Sequence, residues 1–381
     1  MANKNTSLKE AKAAKNDEFY TQYPDIQAEV NAYIEYNPDV FRGKTILLPC
    51  DDPEWSNFTK FFALNFEKFG LKKLISTSYA VESKKYKDGY CPSLFEQNSE
   101  DFDQDKTRVK GKIFTLTQDE NNDGHINIDD LKWHYLEGDG DFRSVEVKAL
   151  RDEADIIVTN PPFSLFREFV AWIMEDNKKF AIIGNQGAAG YKEIFPLVQS
   201  NTMWLGATGY NKDMVFRVPP GSDIKESDRQ KAAKLGYPGD YTRMGNTCWF
   251  TNIDHGRRHE PIGMMTMADN IKFSKHKEIK GAGYIHYENF DAIDVPFTDA
   301  IPADYDGLMG VPITFLDKYC PEQFEIIGHA HGDAGVELGL RPYNRALKKL
   351  NKGLRDGDPY YLDKDGMPEI PYSRIIIRNK K

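Results

Sequence analysis

Two short apolar runs, Lys44–Pro49 (KTILLP) and Lys73–Ser78 (KLISTS), flank Phe58–Phe69, whose aromatic residues recur at helical spacing. Runs this short, with little polar alternation, read as strands buried on both faces, and the intervening period as a helix packed on them. That is a βαβ unit. Asp155–Thr159 (DIIVT) and Phe180–Gly184 (FAIIG) repeat the arrangement around Leu165–Asp176, where Phe166, Phe169, Val170 and Ile173 share a face. The alternation predicts an α/β fold with a mixed, mainly parallel sheet. Beyond Met203 the pattern changes to shorter strands, Met214–Val218 and Thr247–Asn252, which are expected to close the sheet in antiparallel fashion. From about Pro261, Pro and Gly punctuate the chain until the final strand around Ile375–Ile377. The expected division is a first domain over 1–260 and a smaller module over 261–381.

Length and composition narrow the class. The 381 residues suffice for a domain with a large core plus a second module. No window approaches the run of about eighteen apolar residues that a membrane span requires. Met1–Lys15 is lysine-rich without the apolar segment of a signal peptide, so a cytoplasmic location is expected. Cys50, Cys91, Cys248 and Cys320 are scattered without a Cys-x-x-Cys pair, the pattern of reduced, unpaired thiols. A net charge of −9 opposes binding of nucleic acid as a whole. Its distribution reopens the question, because Arg341–Arg355 holds Arg341, Arg345, Lys348, Lys349, Lys352 and Arg355 without one acid.

The chemistry concentrates in Asn160-Pro161-Pro162-Phe163, directly after the DIIVT strand. Ligands of open α/β sheets bind beyond the carboxyl ends of strands. Two prolines hold the backbone extended and remove two N–H donors, leaving carbonyl oxygens as acceptors beside the Asn160 amide. Such acceptors suit an exocyclic amino group, whose lone pair is delocalised into its ring until hydrogen bonds favour a tetrahedral nitrogen. Phe163 supplies a flat surface on which a flipped base stacks.

On these residues the chain resembles the Asn-Pro-Pro-aromatic amino-methyltransferases, and more closely the EcoRI-type adenine-N6 DNA methyltransferases. Further similar segments follow in the same order: Asp17–Gln22, Cys50–Pro53 with Ser56–Phe58, Phe180–Gln186, Cys248–Asn252 and Gly310–Lys318. The resemblance implies a class I, Rossmann-like methyltransferase domain that binds S-adenosylmethionine over 1–260, and a target-recognition region over 261–381. It assigns Asn160, Pro161, Pro162 and Phe163 to catalysis on adenine in double-stranded DNA. Phe19, Tyr20 and Thr21 would wrap over the cofactor, with Thr21 on its carboxylate. The Asp51-Asp52-Pro53 turn replaces the usual glycine-rich loop, Cys50 would adjoin the cofactor with Asp51 or Asp52 on its amino group, and Asp141 and Phe142 would hold the cofactor adenine, with Asn160 adjoining it. Trp249-Phe250 is either a second aromatic near the base or core. Relatives bearing this turn also methylate cytosine N4, RNA or protein glutamine, and a catalytically silent DNA-binding protein is a further alternative. A monomer is expected, with a cognate restriction endonuclease as a partner sharing the site without contact.

Other motifs compete for attention. Asp119–Asp130 (DENNDGHINIDD) fits a calcium loop in spacing, but the preceding Lys112–Thr117 alternates as a strand, which favours an acidic hairpin. His329, His331 and Asp333 alternate as ligands on one strand face would, without a supporting cluster, so no metal is expected. Arg257 and Arg258, with His255 and His259 nearby, are candidates for DNA phosphates alongside Arg345, Lys348 and Lys349.

Overall fold

The computed structural model describes residues 19–51, 56–80, 102–208, 212–218, 222 and 224–381. Asp52 and Pro53 of the expected cofactor turn, Asp17, Glu18 and Cys91 lie outside them. The chain divides into two compact units, Met1–Gln186 with Leu205–His255, and Gly187–Trp204 with Gly256–Lys381. The excursion Gly187–Trp204, where the apolar pattern shows no break, thus joins the second unit.

The strands of the first unit are β1 (Tyr20–Thr21), β2 (Thr45–Leu48), β3 (Lys73–Ser78), β4 (Lys112–Leu116), β5 (Lys132–Tyr135), β6 (Ile156–Thr159) and β7 (Lys179–Asn185). They are followed by β8 (Trp204–Leu205), β9 (Met214–Arg217), β10 (Tyr241–Met244) and β11 (Thr247–Thr251). Eight form one sheet in the order β5-β4-β3-β2-β6-β7-β11-β8. Only the centre is parallel, β2 pairing with β3 and β6, and β6 with β7; β4, β5 and β11 join antiparallel. The sheet is therefore mixed, narrower in its parallel part than the pattern suggests. β11 extends it as expected. β9 does not, because it pairs with β1 and β10 in a separate three-stranded sheet.

Alternate residues of the central strands enter two packing layers. Ile46, Leu48, Ile156, Val158, Ala181, Ile183 and Trp249 share one cluster with Ile26, Val30 and Tyr33 of the helix Tyr23–Tyr36 and with Phe58, Phe61 and Phe62. Each fully buried side chain of this size contributes about 1.5–3 kcal/mol of transfer free energy. On the other face Phe166 of the helix Phe166–Met174 packs against Phe250, and a Cβ on Gly184 would lie only 2.4 Å from its ring. The aromatic segment predicted as one helix splits into Asn57–Leu64 and Phe66–Phe69. Asn65 divides them, its side chain donating to the Phe61 carbonyl at 2.8 Å in competition with the helix ladder.

In the second unit β12 (Ile285–His286), β13 (Ala292–Asp294), β14 (Leu308–Pro312), β15 (Phe324–Ala330) and β18 (Arg374–Asn379) form a sheet ordered β12-β13-β14-β18-β15, while β16 (Tyr361–Leu362) and β17 (Pro368–Glu369) pair separately. Ile375, Ile376 and Ile377, read as a final strand, are fully buried in β18. Asp119–Asp130 links antiparallel β4 and β5, the expected hairpin. Its Asp130 carboxylate accepts backbone N–H groups of Glu120, Asn121 and Asn127 at 2.9–3.1 Å, which hold its pKa below the usual range. Among the described residues, no helix is long and apolar enough to cross a membrane. Among the described residues, Cys50, Cys248 and Cys320 form no disulfide.

Candidate active site

The chain leaves β2 toward β3 on one side, whereas β6 lies on the other and leads to β7. Such a switch point opens a crevice beyond the strand ends. The turns after β2 and β6 carry Cys50-Asp51 and Asn160–Phe163 there. Asp51 is buried and braces the crevice: Oδ1 accepts the Ser56 hydroxyl at 2.7 Å, and Oδ2 that of Thr159 at 2.6 Å. Its carbonyl accepts from the Ser76 hydroxyl. Ser56 in turn caps the helix Asn57–Leu64 by accepting the Phe58 N–H at 3.1 Å. Cys50 adopts φ +69°, the left-handed region that glycine fills in other such turns. Its Sγ lies 3.6 Å from the Tyr79 hydroxyl, and burial pushes the thiol pKa up to about 12.

β1 is fastened beside the second turn. Asn160 donates from Nδ2 to the Phe19 carbonyl at 2.6 Å, and Asn57 donates to the Thr21 carbonyl at 2.7 Å. The Phe19 ring stacks on Phe163 with centroids 5.7 Å apart, and Phe216 of β9 meets both edge-on. Segments 141 positions apart in sequence thus meet at this turn.

The bonds that remain unmade define the site. Asn160 Oδ1 and Thr21 Oγ1 are buried without any hydrogen-bond partner. A buried unsatisfied oxygen costs about 1–3 kcal/mol, so two beside one crevice call for ligand donors or acceptors. The Pro162 carbonyl is used by the Leu165 N–H at 2.9 Å, whereas that of Pro161 accepts no backbone N–H among the described residues.

The other predicted residues divide. Gly140, at φ +86°, lies so near β3 that a Cβ would sit 2.4 Å from the Ser78 carbonyl, which brings Asp141 electrostatically near Cys50 and Tyr79. Arg143 holds the Asp141 carboxylate through both oxygens at 2.9 and 2.6 Å. Phe142 is buried against Phe169 and Trp172 and has no open face for an adenine. Trp249 is fully buried, packed on Phe58, and belongs to the core. Sequence reading missed Thr159, Ser76 and Asn57 as braces. Thr159 and Ser76 carried a faint signal as polar residues inside otherwise apolar strands.

Of the cations assigned to phosphate, Arg258 is buried, lies 3.7 Å over the Trp204 ring and bonds Asn201, so it serves structure instead. Arg257 pairs with Asp317 at 2.6 Å. His255 is buried against the Leu205 carbonyl, and His259 pairs with Glu322. Lys348 binds the carbonyls of Lys352 and Leu354, closing its own loop. Arg345 pairs with Asp356 at 2.6 Å over Tyr343, and Lys349 is exposed.

Comparison with known proteins agrees with the turn. The chain is 37% identical over 378 residues, 99% of its length and 97% of the relative's, to the Type II methyltransferase M.EcoRI of Escherichia coli. It is 34% identical to the Type II methyltransferase M.MpnI of Mycoplasma pneumoniae, covering 90% of this chain and 98% of that one. A further relative, M.MgeORF184P of Mycoplasma genitalium, is 34% identical over 344 residues, 90% of this chain and 92% of its own. No solved structure is significantly similar. The family description "Adenine-specific methyltransferase EcoRI" matches residues 7–380. With an Asn-Pro-Pro-Phe turn at the switch point and a match across nearly all its length, the chain belongs to the EcoRI family of adenine-specific methyltransferases.

Proposed function

We propose that the protein methylates adenine N6 at a short sequence in double-stranded DNA, with S-adenosylmethionine as donor, in a class I Rossmann-like domain. The observation that carries the reading is the buried, unpartnered Asn160 Oδ1 beside the Pro161 carbonyl. The adenine amino group has two N–H bonds to offer, and these two oxygens accept them. Accepting both favours a tetrahedral nitrogen and frees its lone pair, and the Nδ2 bond to Phe19 fixes the amide so that no reorganisation is needed. The proton released from nitrogen passes to water, since neither an amide nor a carbonyl is basic. A base in a duplex must flip out to reach this turn, at about a few kcal/mol, which stacking on Phe163 offsets.

The residues fit the cofactor. Thr21 Oγ1 is unsatisfied toward a carboxylate, and the buried Asp51 carboxylate supplies the negative charge that an ammonium group requires. S-adenosylmethionine, when bound, supplies an electrophilic methyl group. In this reading Phe19, Tyr20 and Cys50 contact the cofactor as well, together with Asp141, whose charge reaches the Cys50 thiol. The second unit is read as the target-recognition region, with Arg345 and Lys349 toward phosphate. The protein would act in the cytoplasm as a monomer, in a restriction-modification pair with an endonuclease of the same specificity.

The test is to express the protein and Asn160→Ala in a host lacking N6-methyladenine and map modified bases by single-molecule sequencing. Methylated adenine in one short motif, absent with the variant, is expected. No modified base with the active form sinks the reading.

A further inference from the structure

The second unit contains a cavity of about 520 Å³ that no assignment above uses. Backbone approaches too close for any side chain flank two of its lining residues, His331 and Asp358. A Cβ on Gly335 would lie 1.8 Å from the Gly357 carbonyl oxygen, and one on Gly357, at φ +83°, would lie 1.7 Å from that of Gly332. The Asp358 carboxylate, fixed by this approach, accepts the Gly332 N–H at 3.0 Å and pairs with His331 Nδ1 at 2.8 Å. Asn289 holds the Asp358 carbonyl at 3.0 Å. With Nδ1 committed, Nε2 is the ring nitrogen that His331 has left to offer, and the side chain is half exposed.

Four further lining residues bear on the chemistry. Arg355 and Tyr372 are exposed, Tyr372 at 79%. His329 bonds the Ser373 hydroxyl at 2.6 Å and stacks on Phe195. Burial lowers the His329 pKa to about 4, whereas Asp358 raises that of His331. His329 is therefore too weak a base to activate Ser373, which argues against a hydrolytic centre. No group of three or more ligating side chains among the described residues suits a metal. What remains is a guanidinium, an exposed aromatic ring and an imidazole whose Nε2 donates in the protonated form that the Asp358 carboxylate favours, the donor set that takes a phosphate beside a base.

We infer that this cavity seats one nucleotide of the DNA strand, with His331 Nε2 and Arg355 on its phosphate and Tyr372 stacked on its base. The inference rests on the DNA substrate proposed above. It shifts phosphate recognition from Arg258 and Lys348, which serve the fold, to residues outside the basic-rich motif except Arg355. Phosphate contacts position a duplex without reading it, so target and unrelated sequences should depend on the site alike.

Fluorescence anisotropy with a target and an unrelated duplex, over a range of salt, tests this on Arg355→Ala, Tyr372→Ala and the exposed control Lys277→Ala. Arg355→Ala should weaken both duplexes and reduce the slope of log K against log salt by about 0.9, the value of one phosphate contact. Tyr372→Ala should weaken binding about tenfold with the slope unchanged. Lys277→Ala should match wild type, and all three should unfold in urea at the wild-type midpoint, which shows that the second unit folds. Wild-type affinity and slope in both cavity variants, or an equal loss in Lys277→Ala, overturns the site while the methylation reading stands. A wild-type protein that binds no duplex overturns the methylation reading itself.

Discussion

Replacing Asn160 by Ala should separate activity from stability. The side chain makes one bond, Nδ2 to the Phe19 carbonyl, and buries one oxygen with no partner. Losing the bond costs about 0.5–1.5 kcal/mol, while removing the unsatisfied oxygen relieves about 1–3 kcal/mol. The ligand-free variant should therefore lie between about 0.5 kcal/mol less stable and about 2.5 kcal/mol more stable than wild type. Chemistry should move the other way, since deleting one preorganised hydrogen-bond partner of a transition state slows turnover by about 10²–10³. Urea unfolding gives the first quantity, and single-turnover transfer of labelled methyl to a duplex gives the second. Destabilisation beyond about 2 kcal/mol would mean that the amide is a structural tie with no spare acceptor. A turnover within tenfold of wild type would mean that the oxygen does not meet the amino group.

Other predictions concern groups around the site and in the second unit. Glu29 is buried and accepts from Tyr33, Ala207 and Thr208, so Glu29→Ala strands several donors and should cost at least about 3 kcal/mol by urea unfolding. A change below about 1 kcal/mol would refute that accounting. Cys50, with its thiol pKa near 12, should resist alkylation at pH 8 in the folded protein, as mass spectrometry of the modified peptide would reveal. For His329 the folded pKa of about 4 lies below the usual value near 6.5, so the unfolded chain takes up its proton first as pH falls. Its contribution to stability is complete above pH 6.5 and declines toward pH 4, opposite in sign to that of His331, which is present at low pH and lost as pH rises through its elevated pKa. Imidazole NMR titrations giving His329 a midpoint above 6 would contradict the burial argument.

Much of the first unit was legible because short, uniformly apolar runs have few alternatives. KLISTS is β3 residue for residue, and IIVT ends where Asn160 begins. The helix break at Asn65 was not legible, since one side chain competing for one carbonyl leaves the aromatic spacing intact. Nor was the destination of Met214–Arg217, because alternation announces a strand without naming its partner, and β9 chose β1 and β10. Counting cations likewise overstated the phosphate surface, since Arg258 and Lys348 are spent on Trp204 and on backbone carbonyls.

The sequence by itself determined the Asn160–Phe163 turn. Two prolines after an apolar strand dictate their own geometry, and the residues that carry the resemblance are local. Only the tertiary structure decided which polar atoms are left for ligands. That Asp51 is braced by Ser56 and Thr159, that Phe142 has no open face, and that Asn160 Oδ1 lacks a partner all depend on contacts between distant segments. A side chain's chemistry is written in the chain, but its unused bonding capacity is what remains after the fold has taken its share.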